Sequence, residues 1–518
     1  MFIDSRELQQ GQNINAEVCI IGAGAAGITI AKKLARTNIG VCLIESGGIE
    51  FDTATQDLYS GEITGEKYEA LDHCRLRFFG GSTNHWGGWT RPLDPVDFSS
   101  RNYGDLLGWP INEKDLQPYY KETDSLLQLG NHSFSSLYWK EQTRHTPPLE
   151  SDEIQTCIYR LSPPARFGTL YGNDIKESQT TWCFPFSNVT DIRMSENGTS
   201  AKEVIIQTLV GNHFKITAYI VILAAGGIEN PRLMLACNSQ HKAGIGNQND
   251  LVGRYFADHR GIWGGFFTPS NPLMDTHAYL PHHPFLRSGE SPNKIAAALT
   301  LKEKDISEQE LPNFSVFVAP ENFQATPSNE RENAKTLQEA ISTLATRQNT
   351  ATPYGDAEMP MIKKNGGMHS LIINAEPFPM RSSRVSLSHE KDKLGMQKTR
   401  LYWQNSTLEK EKASKIILAL ASRIGSTNLG RVYTPDDYQW PPVWQELGRH
   451  HMGTTRMSNS PKDGVVDKNC RVHGYDNLYV AGSSVFPTYG YAQPTYTIVA
   501  LALRLADHII NTRPQWRK

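Results

Sequence analysis

The sequence predicts an α/β chain. A Rossmann-like dinucleotide-binding domain is assembled from N-terminal, middle and C-terminal segments, and an α+β domain with a mostly antiparallel sheet is joined to it. Three observations predict this. Glu17-Val18-Cys19-Ile20-Ile21 runs straight into Gly22-Ala23-Gly24-Ala25-Ala26-Gly27. Two later apolar runs, Tyr219 to Leu223 and Asn477 to Ala481, end on glycine turns at Ala224-Ala225-Gly226-Gly227 and Gly482-Ser483-Ser484. Between those two, from about Gly261 to Trp440, the texture changes to short alternating runs.

The first element, Ala16 to Ile21, is mostly apolar, as a strand buried on both faces of a parallel sheet would be. Ile28, Ile30, Ala31 and Leu34 follow at helical spacing. In the turn between them Gly22 allows the sharp reversal, Gly24 lets backbone approach a pyrophosphate, and Gly27 lets helix pack on strand. The helix N-terminus offers unpaired N–H groups and a partial positive charge to phosphate. Val41 to Ile44 reads as the second strand, and Glu45 ends it. A carboxylate about 20 residues past the glycines is placed to hold a ribose hydroxyl and repels a 2′-phosphate. Strand, helix, strand and acid in register point to a dinucleotide, without separating FAD from NAD.

Leu76 to Asp97, rich in Gly, Trp, Asn and Thr, reads as an ordered loop. A helical region follows from Trp109 through Leu127. Val204 to Leu209 alternates like a strand. Tyr219 to Leu223 and the segment to Leu235 form a second strand–turn–helix unit, with Pro231 expected in the first helical turn. Asn313 to Val318, His369 to Asn374 and Ser383 to Leu387 suggest the antiparallel sheet. Between them 321–365 is polar, with a helix expected over 331–346, and reads as a lid, a partner surface or a solvated excursion. Pro494 opens a last helix that is apolar on most sides through Ile509 and so should be buried. The expected division is 1–100, 185–260 and 441–518 for the dinucleotide domain, and 101–184 and 261–440 for the substrate domain.

At 518 residues two or more domains are expected. The 52 basic residues balance 54 acidic ones, which gives no support for nucleic acid or an anionic membrane as partner. There is no apolar run of membrane-spanning length and no signal-peptide pattern at the start. Seven scattered cysteines show neither CxxC, haem-attachment nor zinc spacing, so no metal site is expected. The odd cysteine count favours a reducing compartment, and a cytoplasmic location is expected, export with a partner being the other course.

Taken together, the blocks resemble the glucose–methanol–choline (GMC) oxidoreductases, FAD enzymes that oxidise alcohols. The resemblance spans nearly the whole chain. It rests on Gly22 to Gly27 with Glu45, Gly80-Gly81-Ser82-Thr83-Asn84-His85-Trp86-Gly87-Gly88, Ala224 to Leu235, Val252-Gly253-Arg254 with Asp258-His259, and Ser383 to Leu387. It continues in His450-His451-Met452-Gly453-Thr454-Thr455-Arg456-Met457, Val465 to Asp467, Asn477 to Pro487 and Gln493-Pro494-Thr495. Within the family the chain is most similar to the branch of pyranose oxidase and the large subunits of sugar, gluconate and fructose dehydrogenases.

The resemblance implies FAD-dependent oxidation of a CH–OH group, of a sugar, glycoside or polyol, by hydride transfer to flavin N5. His450 is the expected base, since a neutral imidazole can take the hydroxyl proton. Its neighbour His451 is the alternative. Gln493 stands where the family usually has His or Asn as second partner, and its extra methylene moves the amide by about one bond length. The final helix, from Pro494 and Thr495, is expected at the flavin, its positive end facing the charge of the reduced ring.

His85 falls where pyranose oxidase links its flavin covalently; a covalent bond and a noncovalent ring packed by Trp86 both stay open. Gly81, Ser82 and Asn84 are implied along the flavin, Val189 at the adenine, and Gly482 and Ser483 near the pyrophosphate, with Ala224 also expected at the cofactor. Arg254 and His259 are expected to pin the domain junction rather than to take part in chemistry. An external electron acceptor or a small electron-transfer subunit is the implied partner. A non-redox lyase and a flavin-bound subunit without catalysis are the competing readings.

Overall fold

A computed structural model of the chain describes residues 1–103, 105–143, 149–271, 274, 279, 294–320, 369–433 and 448–516. The strand Asn13–Ile21 is the axis of its first sheet. It pairs in parallel with Val41–Ile44 on one side and His213–Leu223 on the other. Thr181–Phe184 extends the sheet in parallel beyond Val41–Ile44. On the far side Leu478–Val480 runs parallel to His213–Leu223, while Ala201–Gln207 and Asn188–Met194 turn antiparallel. Val41–Ile44 is buried at every position, and so are the last four residues of Asn13–Ile21. Helices cover both faces of such a strand, which is why its sequence shows a continuous apolar run and no alternation.

Two helices hold the glycine turns. Ala25–Leu34 begins directly after Gly24. Gly226–Ala236 begins after the second turn, and Pro231 lies inside it rather than in its first turn. Proline has no N–H, so the carbonyl of Gly227, four residues back, loses its helical donor. The Thr454 hydroxyl donates to that carbonyl instead. The proline is therefore what ties this helix to the segment His450 to Met457. The last helix, Thr495–Thr512, has Pro494 as its cap and packs against Ala25–Leu34.

A second, seven-stranded antiparallel sheet runs Gly430–Tyr433, Gly261–Pro269, His369–Ala375, Phe314–Pro320, Lys294–Leu301, Ile154–Leu161, Trp89–Thr90. The helix Thr407–Ser426 packs on it through Ile416, Ile417, Leu420 and Ile424. A third, smaller sheet pairs Arg384–Lys391 with Gln397–Trp403, and the latter in parallel with Gly61–Gly65. The α/β class and the mostly antiparallel second sheet are as the sequence predicts. The polar excursion at 321–365 and its expected helix lie outside the described residues, as does the end of the 261–440 segment.

Candidate active site

One cavity of about 670 Å³ runs from the first glycine turn to the histidine pair, so Gly22, Gly24 and His450 share its wall. The glycines divide into two kinds. A Cβ on Gly27 would sit 1.9 Å from the Gly22 carbonyl oxygen, and one on Gly22 would sit 2.6 Å from that of Ala224. These two are glycines because backbone packs there. Gly24, Gly226 and Gly482 have nothing within 4 Å of that position. They line the cavity and leave its floor open, as close approach of a phosphate chain requires.

Most residues expected at a cofactor do line this cavity: Glu45 and Val189 towards one end, Ala224, Gly482 and Ser483 along its floor. Gly81, Ser82, His85 and Trp86 line it from the loop that crosses the turn, and Gln493, Pro494 and Thr495 from the final helix. Two do not. Gly27 is spent on helix–strand packing, and Asn84 turns its amide away to donate to the Phe79 carbonyl at 3.0 Å. Glu45 accepts from the N–H of Ala23 and of Gly47, both at 2.9 Å, so it braces the turn as well as facing the cavity.

The loop Gly81 to Trp86 is clamped from behind. Arg166 donates to the carbonyls of Thr83 and Trp86 at 2.7 and 3.0 Å, and the Trp86 indole donates to Ala165. Burial, with the positive charges of Arg449 and Arg166 nearby, pushes His85 down to about 3, so its imidazole is neutral.

The two adjacent histidines are not equivalent. His451 packs between Phe256 and Tyr68, its Nε2 has no hydrogen-bond partner among the described residues, and burial pushes it down to about 3. Its carbonyl accepts from the Ser483 hydroxyl at 2.7 Å, and it lines the same cavity as His450. His450 stands on the cavity wall and is held from two sides. Its main-chain N–H donates to Asp258 Oδ1 at 2.7 Å, and Tyr68 donates to the other oxygen of that carboxylate, also at 2.7 Å. Its ring Nδ1 lies 2.8 Å from Nδ1 of His259. Burial, then His259, His451 and Arg449, holds His450 well below the usual imidazole range, so it is neutral. Gly448 must be glycine: a Cβ there would lie 2.6 Å from the ring nitrogen of His450.

Arg254, expected with His259 to pin the domain junction, pairs with Asp250 and donates to the Arg381 carbonyl. His259 is brought beside His450 by the isolated bridge between Ala257 and Met452. Sequence reading singled out Asp258-His259 but had no signal that its partner lay 191 residues away. It also missed a buried charge cluster along the cavity. Glu229 meets Arg232 at 2.8 Å, Arg77 at 3.2 Å and Arg75 at 3.5 Å, and both Arg75 and Arg77 stack on Tyr59. Burial alone would raise the Glu229 carboxyl, but those guanidiniums outweigh it and hold it at about 2.

The wall near His450 combines Trp89, Phe317 and Ile372 with the amides of Asn374 and Gln493. Gln493 Oε1 has no hydrogen-bond partner among the described residues. Asn374 donates to the Tyr491 carbonyl at 2.9 Å, which fixes its orientation. Among the described residues there is no cluster of metal-ligating side chains, and no helix is long and apolar enough to cross a membrane.

Comparison with known proteins agrees with this geometry. Residues 379–502 match the family model described as GMC oxidoreductase. The chain is 24% identical to the 2-methyl-1,2-propanediol dehydrogenase of Mycolicibacterium austroafricanum, over 95% of each chain. It is 22% identical to the fructose dehydrogenase large subunit of Gluconobacter japonicus, over 97% of this chain and 99% of that one. In structure it is similar to a formate oxidase variant of Aspergillus oryzae RIB40 studied for FAD modification. There the TM-score is 0.57 and the identity 16%, over 98% of this chain and 100% of that one.

Proposed function

We propose what this chain does from one premise: it belongs to the GMC oxidoreductases, and its cofactor is FAD. It oxidises a CH–OH group of a small polyol, sugar or glycoside to the carbonyl, with His450 as the base. The open glycine floor and the N-terminus of the helix Ala25–Leu34 would hold the diphosphate. The final helix, beginning at Pro494 and Thr495, would turn its positive end to the ring. Bound FAD supplies the acceptor for the hydride that leaves the carbinol carbon. The chain supplies everything else: a neutral imidazole to take the hydroxyl proton, amides to orient the alcohol and an apolar wall to exclude water.

A single observation carries this reading: His450 stands, uncharged, on the wall of the cavity whose far end is the glycine turn. Substrate class rests on the wall itself. Trp89 and Phe317 offer faces to C–H bonds, and Asn374 and Gln493 offer amides to hydroxyls. The relatives named above for a propanediol and for fructose support the same class. One of these relatives is named as a large subunit, and an external acceptor or small electron-transfer subunit is the partner we propose.

Anaerobic mixing of the FAD-loaded protein with diols, polyols and sugars tests the reading. Bleaching of the flavin colour by at least one of them, lost in His450→Gln, is the expected result. Turnover of a substrate with unchanged flavin absorbance would favour a lyase instead. Acid precipitation tests His85: flavin retained in the pellet and released by His85→Ala assigns a covalent link, and flavin wholly in the supernatant removes it.

A further inference from the structure

We propose that His259 is a positioning residue that fixes His450 in the one tautomer able to accept a proton from substrate. The inference rests on the reading of His450 as base and adds the device that makes it one. His259 Nε2 lies 2.7 Å from the Gly490 carbonyl oxygen. A carbonyl only accepts, so His259 carries its proton on Nε2. His259 is 2% exposed, and burial pushes it down to about 4, so it is neutral and its Nδ1 is bare. That bare nitrogen lies 2.8 Å from Nδ1 of His450, with the rings at 80°. Two bare nitrogens at that distance would repel, so His450 must donate from Nδ1. A neutral imidazole has one proton, which leaves Nε2 of His450 as the lone pair.

The anchor of this chain of bonds is itself over-determined. The N–H groups of Tyr489 and Gly490 both donate to Glu376 Oε1, at 3.0 and 3.1 Å. Arg101 grips the same carboxylate with both terminal nitrogens. The Thr488 hydroxyl donates to the Asp97 carbonyl, and the Trp109 indole donates to that hydroxyl at 2.8 Å. Gly490 has φ of +54°, and a Cβ on it would sit 2.4 Å from the Asp97 carboxylate, so only glycine presents the carbonyl this way. When His450 takes a proton on Nε2, its bond to His259 becomes charge-assisted and persists. Glu376, which raises the proton affinity of His259, stands behind the pair to meet the positive charge.

Two variants and one spectrum test this. His259→Leu keeps bulk but offers no acceptor, whereas His259→Asn keeps an acceptor near the position of Nδ1. In the FAD-loaded protein His259→Leu should slow flavin reduction about 10- to 100-fold with substrate affinity unchanged, and His259→Asn should recover most of it. In the flavin-free protein, 15N NMR of labelled histidine, with the His450 signals identified by their loss in His450→Gln, should show a protonated Nδ1 and a bare Nε2. A wild-type rate in His259→Leu, or a protonated Nε2 in wild-type His450, overturns the proposal. The outcome for the base itself is separate: flavin reduction at full rate in His450→Gln removes His450 as base and leaves the tautomer to be read from the spectrum. Should His259→Leu fail to fold, the wild-type spectrum still decides.

Discussion

The Nδ1 atoms of His259 and His450 stand 2.8 Å apart with their rings nearly perpendicular. The contact joins the end of the strand-paired segment at Ala257 to the segment His450 to Met457, and it is buried against the Gly490 carbonyl. Such a contact has a cost in acid. The folded protein keeps His259 neutral down to about 4, while the unfolded chain protonates it near its ordinary value of 6.5. Between those values the unfolded state binds the extra proton, so stability falls as pH falls.

His259→Asn removes that proton from the balance. The stability difference between wild type and His259→Asn, from urea unfolding of the flavin-free protein, should therefore shrink by about 2 kcal/mol on going from about pH 6.5 to about pH 5. A difference that stays constant over that range would mean His259 is not held neutral.

Asp258 supplies a second titration close to the base. Burial pushes its carboxyl up to about 7, against the hydrogen bonds from Tyr68 and the His450 N–H. Ionised Asp258 strengthens its bond to His450 and places negative charge beside the imidazole, which raises the imidazole's affinity for the substrate proton. The rate of flavin reduction should rise through a limb near pH 7. Asp258→Asn retains a partner for both the His450 N–H and the Tyr68 hydroxyl but has no charge to gain. Its profile should lack that limb and run at the low-pH plateau; a limb persisting in Asp258→Asn would assign it elsewhere.

What was legible in the sequence was local. Val41–Ile44, the glycine turns and the last helix could be read because continuous apolar runs and turn glycines are signals carried within a few residues. The position of His450 on the cavity could be inferred from its motif. What could not be read were contacts between segments: His259 against His450, Arg101 against Glu376 across 275 positions, and the arginines around Glu229. A buried charge looks like any other charge in a sequence until folding removes the water around it. Pro231 misled for a related reason, since the donor that replaces its missing N–H is Thr454, 227 positions from the carbonyl it serves.

The two kinds of glycine make a paired prediction. Gly24→Ala adds a methyl into open space at a φ of −87°, so the flavin-free protein should unfold within about 0.5 kcal/mol of wild type. Its affinity for FAD should fall at least about tenfold, because that space is where the phosphate chain must approach. Gly27→Ala drives a methyl to 1.9 Å from the Gly22 carbonyl and forces helix Ala25–Leu34 off its strand. It should destabilise the flavin-free protein by about 1–3 kcal/mol, as overpacking does. Flavin titration and urea unfolding of both variants check the pair, and equal effects of the two on unfolding would refute the division.

Glu229 is the one carboxylate that the guanidiniums of Arg75, Arg77 and Arg232 share, and it is 3% exposed. Asp392 answers a second nitrogen of Arg232 at 2.6 Å but does not reach Arg75 or Arg77. Glu229→Gln therefore leaves two buried cations facing the cavity with neutral partners, the Tyr59 ring and carbonyl, the Leu71 carbonyl and the Ser46 hydroxyl, in place of a carboxylate. Removing one partner of a buried ion pair costs about 3–5 kcal/mol, far more than an exposed pair contributes, because the remaining charges lose water without gaining a counter-charge. Urea unfolding at neutral pH should show a loss of that size in Glu229→Gln. Adding Arg77→Met to it removes one of the stranded cations, so the double variant should recover part of the loss. Additivity of the two single effects would mean that Glu229 and Arg77 do not compensate one another in the folded protein.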